Sequence, residues 1–427
     1  MKRVVNFLIF IMLPWFSDAQ QFVANYDESK VPAYTLPDPL IFNNGTAVVT
    51  KKDWGKRRSE IYQLFEKEVF GVVPPWKGTI KATVVSRKTD ALEGIAKRKE
   101  VQLQFIKGDK KTVVTILIYL PQNSKDSPLF LGYNFGGNHT ATTEPDVLIP
   151  DSWVSNNTES GISDNHANEA GRGKAVSRWP MKEIVSRGFG VATVYYGDVD
   201  PDFNDGFKNG VHQLFDAKRD SASWGSIATW AWGLSRIMDY FETDQEINAK
   251  KVIVIGHSRL GKTSLWAGAA DKRFAMVISN NSGCGGAALS KRIFGETVGR
   301  TNTAFPHWFC DNYKKYSEKE ELMPVDQHEL LALIAPRPVY VASASEDLWA
   351  DPKGEFLSCV YATPVYQLLG LKGLPTKVMP ALSTPVTGDI AYHIRPGKHD
   401  ITLYDWTCYM DFAKHYFSDV TSGLSVK

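Results

Sequence analysis

The sequence has few cysteines and no excess of either charge. Its 427 residues include four cysteines, none in a Cys-x-x-Cys pair, so the spacing typical of zinc and redox sites is missing. Lys and Arg total 49, Asp and Glu total 47, and no basic block occurs. This balance argues against a nucleic-acid partner and against an anionic membrane surface. Metal-binding and nucleotide-binding motifs are also missing, so the sequence predicts no cofactor and no metal.

Long apolar runs are missing too, apart from one at the start of the chain. This run extends from Val4 to Phe16, well short of the roughly 20 residues that a membrane-spanning helix needs. Two basic residues precede it and Ala19 follows, which is the order of a secretory signal peptide. We predict a leader over residues 1–19, a secreted protein in the periplasm or medium, and no membrane anchor in the mature form. An exported chain could pair its four cysteines in three ways, and the sequence leaves the pairing open.

The rest of the chain contains no internal repeat, heptad pattern or low-complexity tract. Residues 20–427 are predicted to form a single domain with an N-terminal arm over about residues 20–50. Two polar segments, 138–174 and 199–221, are too long for ordinary connections. We expect them to be functional insertions above the core.

Short apolar, β-branched runs dominate from Thr112 onward, and helical stretches separate several of them. Continuous apolar strands that alternate with helices predict an α/β fold with a mainly parallel sheet covered on both faces. The predicted strands are 113–119, 129–135, 188–195, 251–255, 274–278 and 339–342, preceded by half-exposed strands over 80–86 and 100–106, and the predicted helices include 53–69, 223–241 and 262–270.

The most informative segment joins a buried apolar strand to a helix. The strand over residues 251–255 runs into a Gly-His-Ser-Arg turn that contains Ser258, and helix-forming residues follow. This context is typical of the nucleophile elbow of α/β-hydrolases, so we predict that fold as a three-layer sandwich. Ser258 is the predicted nucleophile and the Arg259 backbone N–H the predicted oxyanion donor. The second glycine of the usual G-x-S-x-G pattern is one position late, at Gly261, and a serine that only caps a helix is the alternative.

A serine hydroxyl needs a base, which follows it along the chain in this fold. His399 lies in a glycine-containing loop after the last predicted strand, where the base belongs. His393 falls within that strand and His415 in the terminal helix, so both are interpreted as structural. His399 is therefore the predicted base.

The base needs an orienting acid, and a carboxylate just past the strand that ends near Ala342 has the usual position for it. Glu346 and Asp347 both qualify, with Asp351 as a third candidate. The residues alone leave this choice open.

The elbow and four further segments resemble one known family. The run Gly256–Lys262 resembles the G-[CH]-S-R-x-G-K signature of the glucuronoyl esterases, carbohydrate esterase family 15, and especially their bacterial branch. The late glycine belongs to that signature. The likeness covers roughly residues 112–417 and continues through Ser279–Gly286, Phe294–Thr297, Glu346–Pro352 and Gly397–Asp400.

The resemblance implies hydrolysis of the ester between a 4-O-methyl-glucuronic acid branch on xylan and an alcohol, often on lignin. It implies that the Arg259 side chain supplements the oxyanion hole and that Lys262 hydrogen-bonds sugar hydroxyls. It also places Glu296 and Trp349 at the pocket for the uronate. The implied partner is thus a glucuronoxylan or lignin–carbohydrate ester, and we expect a monomer.

One departure from the family pattern affects the acid. Fungal members carry it as Glu in a segment like E-S-G-x-G-G, where this chain has Asn281. Bacterial relatives often carry an acid after the later strand, and the spacing to Trp349 favours Asp347 over Glu346. Fungal relatives also place cysteines next to the catalytic Ser and His, whereas this chain has His257 and Asp400 there.

Two alternatives compete with a glucuronoyl esterase. An acetylxylan esterase or other carbohydrate esterase could use the same scaffold, although Arg259 and Lys262 favour a uronate. A catalytically impaired carbohydrate-binding relative is the second alternative, because Asn281 cannot supply a negative charge.

Overall fold

The computed structural model describes residues 22–421, except 124–125, 159 and 217, and the predicted leader lies outside these residues. The strands are β1 (Thr79–Ala91), β2 (Ala96–Lys107), β3 (Lys110–Pro121), β4 (Leu129–Asn134), β5 (Gly190–Tyr195), β6 (Val252–His257), β7 (Met276–Asn280), β8 (Val339–Ala344) and β9 (Ile390–Arg395). The α-helices are α1 (Lys51–Phe65), α2 (Met181–Ser186), α3 (Ser226–Phe241), α4 (Arg259–Ala270), α5 (Val298–Ala304), α6 (Gln327–Ala332), α7 (Pro352–Leu368) and α8 (Leu403–Thr421).

These strands form one sheet in the order β1-β2-β3-β5-β4-β6-β7-β8-β9. From β5 to β9 neighbouring strands run parallel, whereas the pairs β1–β2, β2–β3 and β3–β5 are antiparallel. The predicted mainly parallel sheet is therefore confirmed.

Side chains of the central strands alternate between two buried clusters, one on each face of the sheet. In β6, Val252 and Val254 belong to one cluster, and Ile253 and Ile255 belong to the other. Helices α1, α3, α4, α6 and α7 pack into the first cluster, and α2 and α8 pack into the second. Helices on both faces of this sheet confirm the α/β-hydrolase three-layer sandwich.

One strand departs from the expected direction. Residues 113–119 have the pattern of the parallel strands, but they run antiparallel to both neighbours as part of β3. Lys107 pairs with Lys110, so only Gly108 and Asp109 connect β2 to β3, and Gly108 has a φ of 61°. A two-residue connection reverses the chain, whereas parallel strands need a crossover of about a dozen residues or more.

The helix predicted over residues 53–69 is present in two parts. It begins at the cap residue Thr50, whose hydroxyl accepts from the Asp53 N–H while the Asp53 carboxylate accepts from the Thr50 N–H. After α1 the chain continues through a π-helical turn over Glu66–Phe70. The helices predicted over 223–241 and 262–270 correspond to α3 and α4.

The four cysteines, whose pairing the sequence leaves open, are all free and buried. In the part of the chain that the structure describes, every helix is too short or too polar to cross a bilayer.

Candidate active site

Four polar residues lie where neighbouring parallel strands end. Ser258 follows β6, Asn281 follows β7, Asp347 comes three residues after β8 and His399 comes four residues after β9. Because the carboxyl ends of parallel strands meet at one edge, residues that are far apart in sequence converge there. This edge of the sheet holds the candidate site.

Ser258 has the strained backbone of a nucleophile elbow. Its φ is 58° and its ψ is −130°, a conformation that costs a non-glycine residue about 1–3 kcal/mol. Its side chain makes no capping hydrogen bond with α4, so it does not serve as an ordinary helix cap. The turn instead presents the hydroxyl to the cavities described below.

Two glycines allow this turn to close. A Cβ on Gly256 would lie 1.9 Å from the carbonyl oxygen of Leu260, in the first turn of α4. A Cβ on Gly261 would lie 2.9 Å from the Cβ of Ser282, on the neighbouring loop. The late glycine is therefore the position where α4 packs against the loop after β7.

His399 and Asp347 are in direct hydrogen-bond contact. The Nδ1 atom of His399 lies 2.6 Å from Oδ2 of Asp347, and the His399 side chain is 39% exposed while that of Asp347 is buried. Glu346 contributes a backbone N–H to the carbonyl of Gly397, and Asp351 caps α7 through the N–H of Gly354. Of the three candidate acids, Asp347 is the one that the structure brings to the imidazole.

Asn281 is a hydrogen-bond partner of Asp347. Its side-chain amide donates to the same Asp347 oxygen at 2.8 Å. Its backbone takes a left-handed φ of 47°, and its N–H bonds to the carbonyl of Ala342 in β8. The residue at the fungal acid position thus becomes a hydrogen-bond donor to the acid after the next strand.

Arg259 begins α4, so its backbone N–H has no acceptor within the helix. Its guanidinium binds the carboxylate of Asp202 and lies 4.8 Å from the ring centroid of Trp308. Its Nε is buried and has no hydrogen-bond partner among the described residues. Arg259 therefore has two donors beside Ser258, its backbone N–H and its guanidinium.

Asp202 accepts from several donors besides Arg259. Its Oδ2 accepts from the Tyr196 hydroxyl at 2.9 Å, and its Oδ1 lies 2.7 Å from Nε1 of Trp308 and 2.9 Å from Nε2 of His307. Burial would raise the pKa of Asp202, but the His307 hydrogen bond and the Arg259 charge lower it well below its ordinary value. The carboxylate is thus ionised and fixes the position of the guanidinium.

A cavity of about 340 Å³, here called the motif pocket, opens on one side of Ser258. The three residues that the resemblance places at the uronate line it together with Ser258 and His399. The lining residues that the later paragraphs use are Ser258, Arg259, Lys262, Glu296, Arg300, Trp308, Trp349 and His399.

Lys262 differs from its expected role at this pocket. Its buried Nζ donates to the carbonyls of Ser282 at 2.7 Å and Cys284 at 2.6 Å, and to Oε2 of Glu296 at 2.7 Å. An ammonium group has three donors, so no N–H remains for a sugar hydroxyl. Lys262 holds Glu296 in place, and Glu296 is the group that faces the cavity.

Comparisons with known proteins identify the family of this chain. A family model described as glucuronyl esterase from fungi matches residues 170–370. A carbohydrate esterase from an unknown prokaryotic organism is 51% identical over 401 residues, which is 92% of each chain. The chain belongs to carbohydrate esterase family 15.

A solved structure and a fungal relative indicate the class of reaction that this family-15 esterase catalyses. A promiscuous esterase of the family from a marine bacterial metagenome superposes with a TM-score of 0.87 at 51% identity, over 92% of this chain and all of that one. The 4-O-methyl-glucuronoyl methylesterase 1 of Wolfiporia cocos is 30% identical over 355 residues, 80% of this chain and 75% of the fungal one. The chain is therefore a carboxylic ester hydrolase.

A second cavity of about 580 Å³, here called the insertion groove, opens on the other side of Ser258 in this esterase. Ser258, Arg259 and His399 line both cavities. The groove is otherwise lined by residues of the predicted insertion 138–174 and by residues outside it, among them Asn156, Asn157, Ser160, Lys174, Arg178 and Asp400. Residues of the insertion 138–174 therefore line a cavity together with Ser258 and His399, whereas the sequence predicts only that this insertion lies above the sheet.

Sequence reasoning missed three residues that hold the family-15 site together, of which Asp202 is the first. The second is Arg395, whose guanidinium donates to the carbonyls of Pro396, Lys398 and Asp400 and to the carboxylate of Asp405. These hydrogen bonds of the Arg395 guanidinium fix the loop that contains His399. An arginine four residues before the predicted base is a signal that could have indicated it.

Glu355 is the third residue that sequence reasoning missed. It is fully buried on α7 and accepts from the backbone N–H groups of Ser282 at 2.7 Å and Gly283 at 3.1 Å, and from the Ser343 hydroxyl at 2.6 Å. Burial raises the pKa of Glu355 to about 8. It fixes the loop after β7 from behind, and no feature of its sequence context distinguishes it.

His257, next to Ser258, makes a structural contact. Its ring lies 4.5 Å from that of His399, and its Nδ1 is 2.6 Å from Oδ1 of Asn280. Burial and the charge of His399 lower the pKa of His257 well below its ordinary value. It is therefore a neutral ring that packs against His399.

Proposed function

We propose that this family-15 esterase is a glucuronoyl esterase, which hydrolyses the ester between a 4-O-methyl-glucuronic acid branch of xylan and an alcohol such as those of lignin. The observation that carries the proposal is the His399–Asp347 contact of 2.6 Å beside Ser258, in a cavity that also contains Glu296 and Trp349. The fungal relatives named as 4-O-methyl-glucuronoyl methylesterases support this acyl group.

The proposed mechanism proceeds through an acyl-enzyme. The Ser258 hydroxyl attacks the ester carbonyl while Nε2 of His399 takes its proton, because Nδ1 is engaged with Asp347. Asp347 stabilises the imidazolium that forms. The same proton then passes to the leaving alcohol, and a water molecule activated by His399 hydrolyses the acyl-enzyme to release the uronic acid.

The oxyanion of each tetrahedral intermediate is stabilised by Arg259 through its backbone N–H and its guanidinium. The esterified carboxyl of the substrate is neutral, so a cation here is useful only as negative charge develops on the carbonyl oxygen. Asp202 holds the guanidinium in advance, so little reorganisation is needed during the reaction.

Glu296 and Trp349 would bind the sugar ring. Glu296 keeps one carboxylate oxygen for hydroxyl groups while Lys262 holds the other. The flat Trp349 ring is suited to a sugar face. In this proposal Lys262 contributes through Glu296 and makes no direct contact with the sugar.

The proposal includes export under a leader of residues 1–19 and a monomeric single domain over residues 20–427. These points rest on the sequence pattern described above.

The decisive experiment is hydrolysis of benzyl D-glucuronate by the purified protein, with Ser258→Ala alongside. Turnover in the wild type that the variant loses supports the proposal. If neither protein turns over the ester, or if both do so equally, the proposal is wrong.

A second candidate is a broader carbohydrate esterase that also removes acetyl groups. The relative at 51% identity that is described as a promiscuous esterase favours it. The acyl group of an acetyl ester is not a uronate, so a lower kcat/KM on acetylated xylan than on benzyl D-glucuronate would favour the glucuronoyl esterase. Acetyl release alone would favour the second candidate.

A further inference from the structure

The N-terminal arm lies against the segment that carries Glu296. The backbone carbonyl of Asn25 accepts from the N–H of Gly295 at 2.8 Å, and the Asn25 side-chain amide donates to the carbonyl of Ile293 at 3.4 Å. The ring of Tyr26 meets that of Phe294 edge-on, with centroids 6.2 Å apart. Residues 22–28 of the arm therefore follow the chain that leads into the motif pocket.

A buried arginine anchors the arm at its other end. The carboxylate of Glu28 accepts from Arg292 at 2.6 Å and from Lys353 at 2.6 Å. The Arg292 side chain is 3% exposed and also binds Asp351 at 2.8 Å, directly beyond the Trp349 turn. The arm is thus tied to both segments that supply the sugar-side residues of the pocket.

Those two segments also contact each other through their backbones. The N–H of Glu296 donates to the carbonyl of Trp349 at 2.8 Å. Gly295 has a φ of 64°, and a Cβ there would lie 2.5 Å from the same carbonyl oxygen. Because the Gly295 N–H is bound by Asn25, the arm, the Glu296 segment and the Trp349 turn form three successive layers.

Phe22 contacts two side chains that line the motif pocket. Its ring meets the Trp349 ring edge-on, with centroids 6.0 Å apart and an interplanar angle of 85°. The guanidinium carbon of Arg300 lies 5.7 Å from the Phe22 ring centroid. Trp349 and Arg300 both line the motif pocket, so Phe22 restricts two of its side chains from outside.

We propose that residues 22–28 form the outer wall of the motif pocket and that Phe22 is a specificity-determining residue, which positions Trp349 and Arg300 for the sugar of the substrate. This inference rests on the glucuronoyl esterase proposed above. Phe22 is 39% exposed, so its ring contributes little to the core, and its contacts are with the pocket side chains.

A positioning role makes a prediction that a purely structural role does not. Trp349 and Arg300 line the cavity to which the proposed function assigns the sugar, whereas Ser258, His399 and Asp347 are held by other contacts. Loss of the Phe22 ring should therefore raise KM for a uronate ester with little change in kcat. It should have less effect on an ester without a sugar.

The test uses the full mature chain with Phe22→Ala, Phe22→Tyr and the neighbouring control Val23→Ala, whose side chain is 86% exposed. KM and kcat are measured on benzyl D-glucuronate and on 4-nitrophenyl acetate, together with Tm. In Phe22→Ala we expect KM for the glucuronate to rise by about fivefold, on the scale of one lost aromatic contact. Phe22→Tyr keeps the ring and should restore the wild-type KM, and Val23→Ala should match the wild type.

The outcomes separate this inference from the proposed function. Wild-type turnover of benzyl D-glucuronate that Ser258→Ala abolishes upholds the function, and an unchanged KM in Phe22→Ala would then overturn the inference alone. An equal loss on both esters with a lower Tm would also overturn it, because the arm would then act only on stability. No wild-type turnover of the glucuronate would overturn both.

Discussion

The two cavities that meet at Ser258 are built in different ways. In the motif pocket two of the charged groups are held by buried partners: Lys262 is paired with Glu296, and Arg259 is paired with Asp202. In the insertion groove, polar residues such as Asn156 and Lys174 are exposed and come from a segment that contains only short helical turns. One side is fixed in advance, and the other is a solvated surface.

This difference indicates which part of the ester the enzyme selects. Charged groups that are held by buried partners cannot reorient to suit a different ligand, so the motif pocket fits one kind of acyl group. Exposed amide and hydroxyl side chains adapt to many partners. We expect strict selection of the uronate and weak selection of the alcohol.

The largest effect is expected at Asp347, because it contacts His399, which lines both cavities. Asp347→Asn should lower kcat by about 10⁴-fold for every ester, whatever its alcohol, because the imidazolium loses its counter-charge. Glu346→Gln is the matched control, since the side chain is adjacent and exposed. Steady-state kinetics on benzyl and methyl D-glucuronate check this. Little loss in Asp347→Asn with a large loss in Glu346→Gln would transfer the role to Glu346.

A smaller but still large loss is expected at the paired arginine. Asp202→Asn should lower kcat by about 10²-fold, the scale of one oxyanion-hole donor, because Arg259 loses both its orientation and its counter-charge. Tyr196→Phe removes one hydrogen bond to the same carboxylate oxygen and should have a much weaker effect. If Asp202→Asn lowers Tm but leaves kcat unaltered, Asp202 has no part in positioning Arg259.

The two cavities can be compared directly by substituting one charged residue in each. Glu296→Gln should raise KM for benzyl D-glucuronate by about tenfold, equal to about 1.4 kcal/mol, because Lys262 loses its counter-charge and the sugar loses an acceptor. Lys174→Ala in the groove should change KM far less, since its charge is solvated. Equal effects in the two variants would show that the cavities contribute alike.

The last prediction concerns stability instead of turnover, and the expected change in activity is the smallest of the series. Asp198 is buried and accepts from the hydroxyl of Ser152, in the insertion, at 2.5 Å. Burial raises the pKa of Asp198 from its ordinary 3.8 to about 6. The unfolded chain loses this proton near pH 4 and the folded chain near pH 6, so the stabilisation is complete below pH 4 and falls as the pH rises to 6.

Over that range the free energy of unfolding should fall by about 3 kcal/mol from this group. The side chain in Asp198→Asn cannot titrate. The Tm of the variant minus the Tm of the wild type should therefore increase from pH 4 to pH 7. Differential scanning calorimetry at several pH values measures this difference. Parallel Tm profiles for the two proteins would show that Asp198 does not titrate in this range.

Much of the fold and of the site could be predicted because it depends on local pattern. Apolar runs such as residues 251–255 identify buried strands, and a serine between such a strand and a helix identifies the elbow. The order of Ser258 and His399 along the chain follows from the topology. The antiparallel direction of β3 could not be read from its apolar pattern, because the two-residue turn before it sets the direction.

The supporting residues could not be predicted for a different reason. Asp202 lies 57 residues before its partner Arg259 and belongs to an acidic stretch in which no aspartate stands out. Glu355 lies 73 residues after Ser282, on a helix that also packs against the core. Such pairs depend on how insertions and helices pack over the sheet.

The sequence by itself determined the strands, the elbow and the set of residues that could act there, because each is encoded within a few neighbouring positions. Only the tertiary structure decided which carboxylate meets His399 and which group occupies Lys262. Successive residues in a turn point in different directions, so Glu346 and Asp347 are equivalent in spacing but not in space. The packing of β8 beside β9 directs Asp347 toward the imidazole, and the loop after β7 surrounds the ammonium of Lys262.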